Sequence, residues 1–137
     1  MTIYILYISC TLEQSCAIWH SSLTEENKAD LERVQKNAFR NILKENYSSY
    51  TEALEILELE TLHERRERLI LKYGNQCLKL SQTKHLFPYK NKDHKMQTRA
   101  NEIYEVVSAK TNRYRNSTVP YIQRLLNREN QQNRSPG

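Results

Sequence analysis

The chain reads as mainly α-helical: a small bundle of three to four helices followed by a basic, partly irregular C-terminal extension. Three observations carry that reading. Only two glycines and three prolines occur in 137 residues, so little interrupts helices over the first eighty positions. Residues 31–44, LERVQKNAFRNILK, repeat apolar and cationic residues at helical spacing. Two stretches also carry helix-start signals, Thr24 followed by acids and the capping box Thr61-x-x-Glu64.

Taken in order, residues 3–21 predict a helix with a broad apolar surface, on which Leu12, Cys16, Trp19 and Leu23 step by four, three and four. Ser21 and Ser22 break it. Thr24 caps a second helix, with Glu25 and Glu26 offsetting the dipole of its first turn, and the helix runs to about Lys44. Its expected buried face is Leu31, Val34, Ala38 and Ile42. Arg33, Lys36, Arg40 and Lys44 follow two positions later, about 200° around the helix, as a ladder of cations. Tyr47 and Tyr50 occupy the following turn. TEALEILE, 51–58, predicts a short helix with Leu54 and Leu57 inward. Thr61-x-x-Glu64 opens a third substantial helix over about 62–80, apolar through Leu62, Leu69, Ile70, Tyr73, Cys77 and Leu80, with Arg65, Arg66 and Lys72 left as cations. Residues 82–100 read as a basic loop and 103–107 as a short strand or extended segment. Pro120 suits the first turn of a last helix ending near Leu126, and the polar tail from there reads as disordered. The expected domains are 1–81 (helical), 82–127 (basic linker with short elements) and 128–137 (disordered tail).

Hydrophobic residues make up 38% and the mean hydropathy is −0.83, which allows a modest core. Net charge is +5 and uneven. Residues 1–62 hold five Lys/Arg against ten Asp/Glu, and 63–137 hold sixteen against six. A basic half suits a polyanion such as nucleic acid, but on charge alone a solvated surface with a lysine-rich tail is the more ordinary explanation. Cys10, Cys16 and Cys77 are odd in number and scattered, against a disulfide framework. The apolar N-terminus lacks a basic leader region and is too short to span a bilayer. A nuclear or cytoplasmic, non-secreted chain without membrane contact is expected.

Catalytic and metal chemistry find little footing. Cys16-x-x-x-His20 has the spacing of two zinc ligands or of a Cys–His dyad. It lacks further ligands, an orienting residue and a glycine-rich oxyanion loop, and core packing accounts for it. Two-metal nucleotidyl transfer needs converging carboxylates, whereas Asp30 and Asp93 are the two aspartates and lie far apart. No catalytic residue, metal or cofactor is expected. The cation ladder remains a candidate for sequence-independent phosphate contact, with Tyr47, Tyr50, Phe87, Tyr89 and Tyr114 as stacking rings.

LEQSCAIWHSSLTEENKADLERVQKNAFRNIL and YSSYTEALEILELETLHERRERLILKY together resemble the end of the reverse transcriptase region of jockey-like non-LTR retrotransposons. The likeness rests on Trp19, the run Leu31 to Lys36, Tyr47 with Tyr50, and Leu59, Leu62, Arg65 and Arg66, in that order. SQTKHLFPYK and STVPYIQRLLN look like the C-terminal tail of such elements. The resemblance covers about Tyr4 to Asn127. It implies the thumb and following linker of an RNA-directed DNA polymerase, which hold a template–primer duplex beside the palm. It makes Arg33, Lys36, Arg40, Lys44, Arg65, Arg66 and Lys72 candidate backbone contacts. The family's Tyr-x-Asp-Asp palm motif, fingers and endonuclease have no counterpart here. The implied protein is therefore a non-catalytic fragment, a truncated copy whose partners are nucleic acid and the missing palm. A small helical protein-interaction module, docking through Trp19, is the alternative.

Overall fold

The computed structural model describes residues 4–90, 103–106 and 108–133. These are mainly helical, with no strand among them. Two compact units divide the chain, Met1–Leu69 and Ile70–Gly137. The boundary between them falls inside the helix that begins at Leu62.

The first unit opens on a π-helical turn, Tyr4–Ser9, then α1 (Cys10–Glu13), α2 (Cys16–Trp19) and a 3₁₀ turn, His20–Ser22. The expected continuous helix over 3–21 is broken. Gln14 is extended and Ser15 is left-handed at φ 53°. The Gln14 carbonyl, freed from the helical ladder, accepts from the Trp19 indole at 2.7 Å. Thr24 then caps α3 (Glu25–Leu43), its Oγ1 accepting from the Asn27 N–H at 3.2 Å. Lys44, at φ 49°, ends α3. Ser49 caps α4 (Tyr50–Leu57) by accepting from the Glu52 N–H, and left-handed Glu58 terminates it.

α3 turns a different face inward from the expected one. Phe39 and Gln35 are buried, while Val34 and Ile42 are exposed. Phe39 is chosen by its aromatic partners: Tyr4 meets it edge-on at 5.4 Å and Tyr50 stacks on it at 5.9 Å, beside buried Ala53. Gln35 is chosen by the next helix. α5 (Leu62–Lys79) leaves its first N–H groups without helical acceptors. Gln35 Oε1 accepts from the Leu62 N–H at 3.2 Å, and Glu32 Oε1 from the His63 N–H at 2.9 Å. Gln35 Nε2 also donates to the Glu60 carbonyl. The Tyr50 hydroxyl donates to Glu32 Oε2 at 2.6 Å, 2.8 Å from Gln35 Oε1. The capping box forms as expected, Glu64 accepting from the Thr61 N–H and Thr61 Oγ1 from the Glu64 N–H.

The second unit takes the rest of α5, then α6 (Ser81–Lys84), α7 (Asn112–Arg115) and α8 (Thr118–Gln132). Its buried residues include Ile70, Cys77, Phe87, Tyr104, Ile122, Leu125 and Leu126. α5 and α8 meet closely at Gly74, where an added Cβ would lie 2.6 Å from Ile122 Cγ2. Gly74→Ala therefore loses stability despite alanine's better helix propensity. Overpacking costs about 1–3 kcal/mol against a propensity gain of about 1 kcal/mol. A net loss of about 1 kcal/mol in urea unfolding is expected, and a gain would contradict the packing.

Pro120 stands in the first turn of α8, as expected. The helix, however, continues past Leu126 to Gln132, so the expected disordered tail is helical through its first five residues. Residues 103–107 form no strand among the described positions; Tyr104 makes a single antiparallel bridge with Tyr89. Two backbone bonds flank the bridge, Lys90 N–H to Ile103 and Glu105 N–H to Pro88. The buried Asn127 side chain grips this segment, accepting from the Ile103 and Tyr104 N–H groups at 3.0 and 2.9 Å and donating to the Tyr104 carbonyl at 2.9 Å. Residues 91–100 of the expected basic loop lie outside the described residues.

Candidate nucleic-acid interface

Arg33, Lys36 and Arg40 line one flank of α3, beside the buried Gln35–Phe39 stripe, and Lys44 follows as the residue that ends the helix. The tyrosines of the following segment prop two of them. Lys36 Nζ sits 4.9 Å from the Tyr50 ring centroid, and Arg40 Cζ 5.4 Å from that of Tyr47. Such cation–π contact orients a charge without neutralising it. Arg33 is tied at 2.9 Å to Asp30. The Tyr50 hydroxyl is held protonated, its pKa raised by burial and by the bond it donates to Glu32.

The first unit carries eight Lys/Arg against twelve Asp/Glu, and four of its cations are held in ion pairs. Lys28 pairs with Glu25, Arg33 with Asp30, Arg65 with Glu13 and Arg68 with Glu60. Lys36, Arg40 and Lys44 make no ion pair among the described residues.

Two expected contacts leave the ladder. Arg65 is half-buried and held by Glu13. Arg66 is fully buried, its guanidinium 5.7 Å from the Trp19 ring and making no hydrogen bond among the described residues. It has no surface to offer a phosphate. The sequence carries the signal: Arg66 lies one turn from both Leu62 and Ile70, on the stripe that buries them. Burial lowers its pKa, while Glu32, Cys16 and Glu13 oppose that. A buried cation without hydrogen bonds is costly. Arg66→Met is therefore expected to stabilise the chain by about 1–4 kcal/mol in urea unfolding and to leave RNA–DNA hybrid affinity unchanged; lost affinity would return Arg66 to the interface. Lys72, in the second unit, is exposed.

Cys16 and His20 are both buried. Burial pushes the Cys16 thiol up, away from nucleophilic readiness. No group of three or more His, Cys, Asp or Glu able to hold a metal occurs among the described residues. Among the same residues, no helix is long and apolar enough to cross a membrane. Trp19 is half-buried, its indole bonded to the Gln14 carbonyl, and Ile18 is the more exposed apolar residue of α2 at 66%.

Compared with known proteins, the chain matches no family model, no curated protein and no solved structure.

Proposed function

We propose that the chain is the thumb and linker part of a reverse transcriptase of the jockey-like retrotransposon kind, a non-catalytic fragment that holds the backbone of a template–primer duplex. One observation carries the reading. In a unit with more acids than bases, Lys36 and Arg40 on one flank of α3, and Lys44 at its end, make no ion pair among the described residues, and the first two are propped on tyrosine rings. Lys36 and Arg40 are four residues, about 6 Å, apart along the axis. That is near twice the ~3.4 Å axial step between phosphates of one strand. Contacts of this kind hold a duplex without reading its sequence. The missing palm would supply the chemistry.

The triple variant Lys36→Gln, Arg40→Gln, Lys44→Gln tests this. Binding of an RNA–DNA hybrid is expected to weaken, and its salt slope to shallow by about 2.7, at ~0.9 per phosphate contact. Unchanged binding by a variant with native circular dichroism would contradict it. A small helical interaction module is the second reading, favoured by the exposed Ile18. A monomer in sedimentation, with Trp19 shielded from iodide, would count against it.

A further inference from the structure

One aromatic ring of the second unit is both well fixed and open to solvent. Tyr89 stacks on Tyr104, with ring centroids 5.4 Å apart and planes 27° from parallel. Tyr104 is buried, whereas Tyr89 is 60% exposed. The backbone explains why the rings meet. The Lys90 N–H donates to the Ile103 carbonyl at 2.8 Å and the Glu105 N–H to the Pro88 carbonyl at 2.9 Å. Tyr89 and Tyr104 thus face each other between two ladder bonds, the kind of pair whose side chains lie closest. The Tyr104 N–H and carbonyl then point away from residues 88–90, and the Asn127 amide takes both. Tyr104 is fixed by α8, and Tyr89 by Tyr104. A ring covered on one side and still so exposed presents its other side to solvent. Because it is already ordered, it loses little freedom when a flat ligand stacks on it. Charge selects the ligand. The described residues of this unit carry nine Lys/Arg against Glu105 and Glu129, and exposed Lys90 is next to Tyr89 in the chain. Such a unit draws a polyanion, and the flat groups of a nucleic acid are its bases. A base inside a duplex is already stacked on its neighbours, so the ring suits an unpaired one.

We propose that Tyr89, backed by Tyr104, is a stacking platform for an unpaired base of a nucleic-acid strand. The site rests on the nucleic-acid reading above and adds a contact that needs a base, where Lys36, Arg40 and Lys44 need only phosphates.

The test uses the full chain and two labelled single strands of equal length, an oligothymidylate of about twelve nucleotides and an abasic strand with the same phosphates. The oligothymidylate should bind about fivefold tighter or more, the lower end of what stacking one base contributes. Tyr89→Leu, which keeps an apolar cover on Tyr104, should remove that advantage and leave the salt slope and the abasic strand unchanged, since no phosphate contact is lost. Tyr89→Phe should retain it. In the unaltered chain, saturating oligothymidylate should move the NMR signals of the Tyr89 ring protons upfield, a readout that no folding defect of a variant can imitate. Equal affinity for the two strands, or Tyr89 ring signals that stay in place, would overturn this site and leave the duplex-holding reading to the α3 triple variant. No binding of either strand or of the RNA–DNA hybrid at low salt would overturn both. A dimer that Tyr89→Leu converts to monomer, with strand affinity unchanged, would give the ring to a second copy of the chain and overturn the proposal.

Discussion

Asn127→Leu is expected to destabilise the second unit by about 3 kcal/mol or more. The side-chain amide of Asn127 accepts from two successive backbone N–H groups, Ile103 and Tyr104, and donates to the Tyr104 carbonyl. Leucine is close to asparagine in size but leaves all three groups without that partner in a buried site. Each orphaned group costs about 1–3 kcal/mol. The loss should extend beyond a single bond, since the stacked Tyr89 and Tyr104 rings, 5.4 Å apart, share the bridge that Asn127 anchors. Urea unfolding gives the magnitude, and hydrogen exchange at the Ile103 and Tyr104 amides gives the location. A loss under about 1 kcal/mol would mean that the segment is held by something other than this amide.

The second large effect is a pH dependence centred on His20. Its ring is buried, 5.4 Å from the His63 ring; the charges of Arg66, His63 and Lys28 disfavour its protonation, and Glu67 opposes them. Burial first, then Arg66, lowers its pKa from 6.5 to about 4. The sign follows from linkage. The unfolded chain takes up a proton at His20 near pH 6.5, and the folded chain refuses it until about pH 4. The contribution is therefore fully present above pH 6.5 and is lost as pH falls toward 4. A gap of about 2.5 pH units corresponds to about 3 kcal/mol. Trp19, the chain's one tryptophan, stands next to His20 and reports the unfolding. His20→Gln should flatten the limb between pH 6.5 and 5. A wild-type limb that survives this substitution would assign the effect to another group.

The helix starts were legible because they are local. Thr24 and the Thr61–Glu64 box satisfy N–H groups within their own first turn, and Pro120 suits a first turn wherever the helix later packs. What was not legible depends on partners distant in sequence. The inward face of α3 is set by Tyr4, Tyr50 and the start of α5, so buried Gln35 ranks above the more apolar Val34 and Ile42. Asn127 looks like one polar residue of a tail until residues 103–105 are placed against it. The polar run Arg128–Gln132 continues α8 because polarity does not end a helix; a chain end or a breaker does. Among the candidate cations, residue type announced the charge but not its use. Arg66 was readable as buried from its four-residue spacing to Leu62 and Ile70, whereas the Glu13 partner of Arg65 depends on the broken path of residues 10–19.

The central claim is that the cations Lys36, Arg40 and Lys44, in and at the end of α3, hold a nucleic-acid backbone. The most direct measurement is the affinity of the full chain for an RNA–DNA hybrid as a function of salt. With Lys36, Arg40 and Lys44 on phosphates, log K is expected to fall against log salt with a slope of about −3 or steeper, with little dependence on hybrid sequence. A slope near zero, or binding that changes strongly with sequence at constant salt, would contradict it.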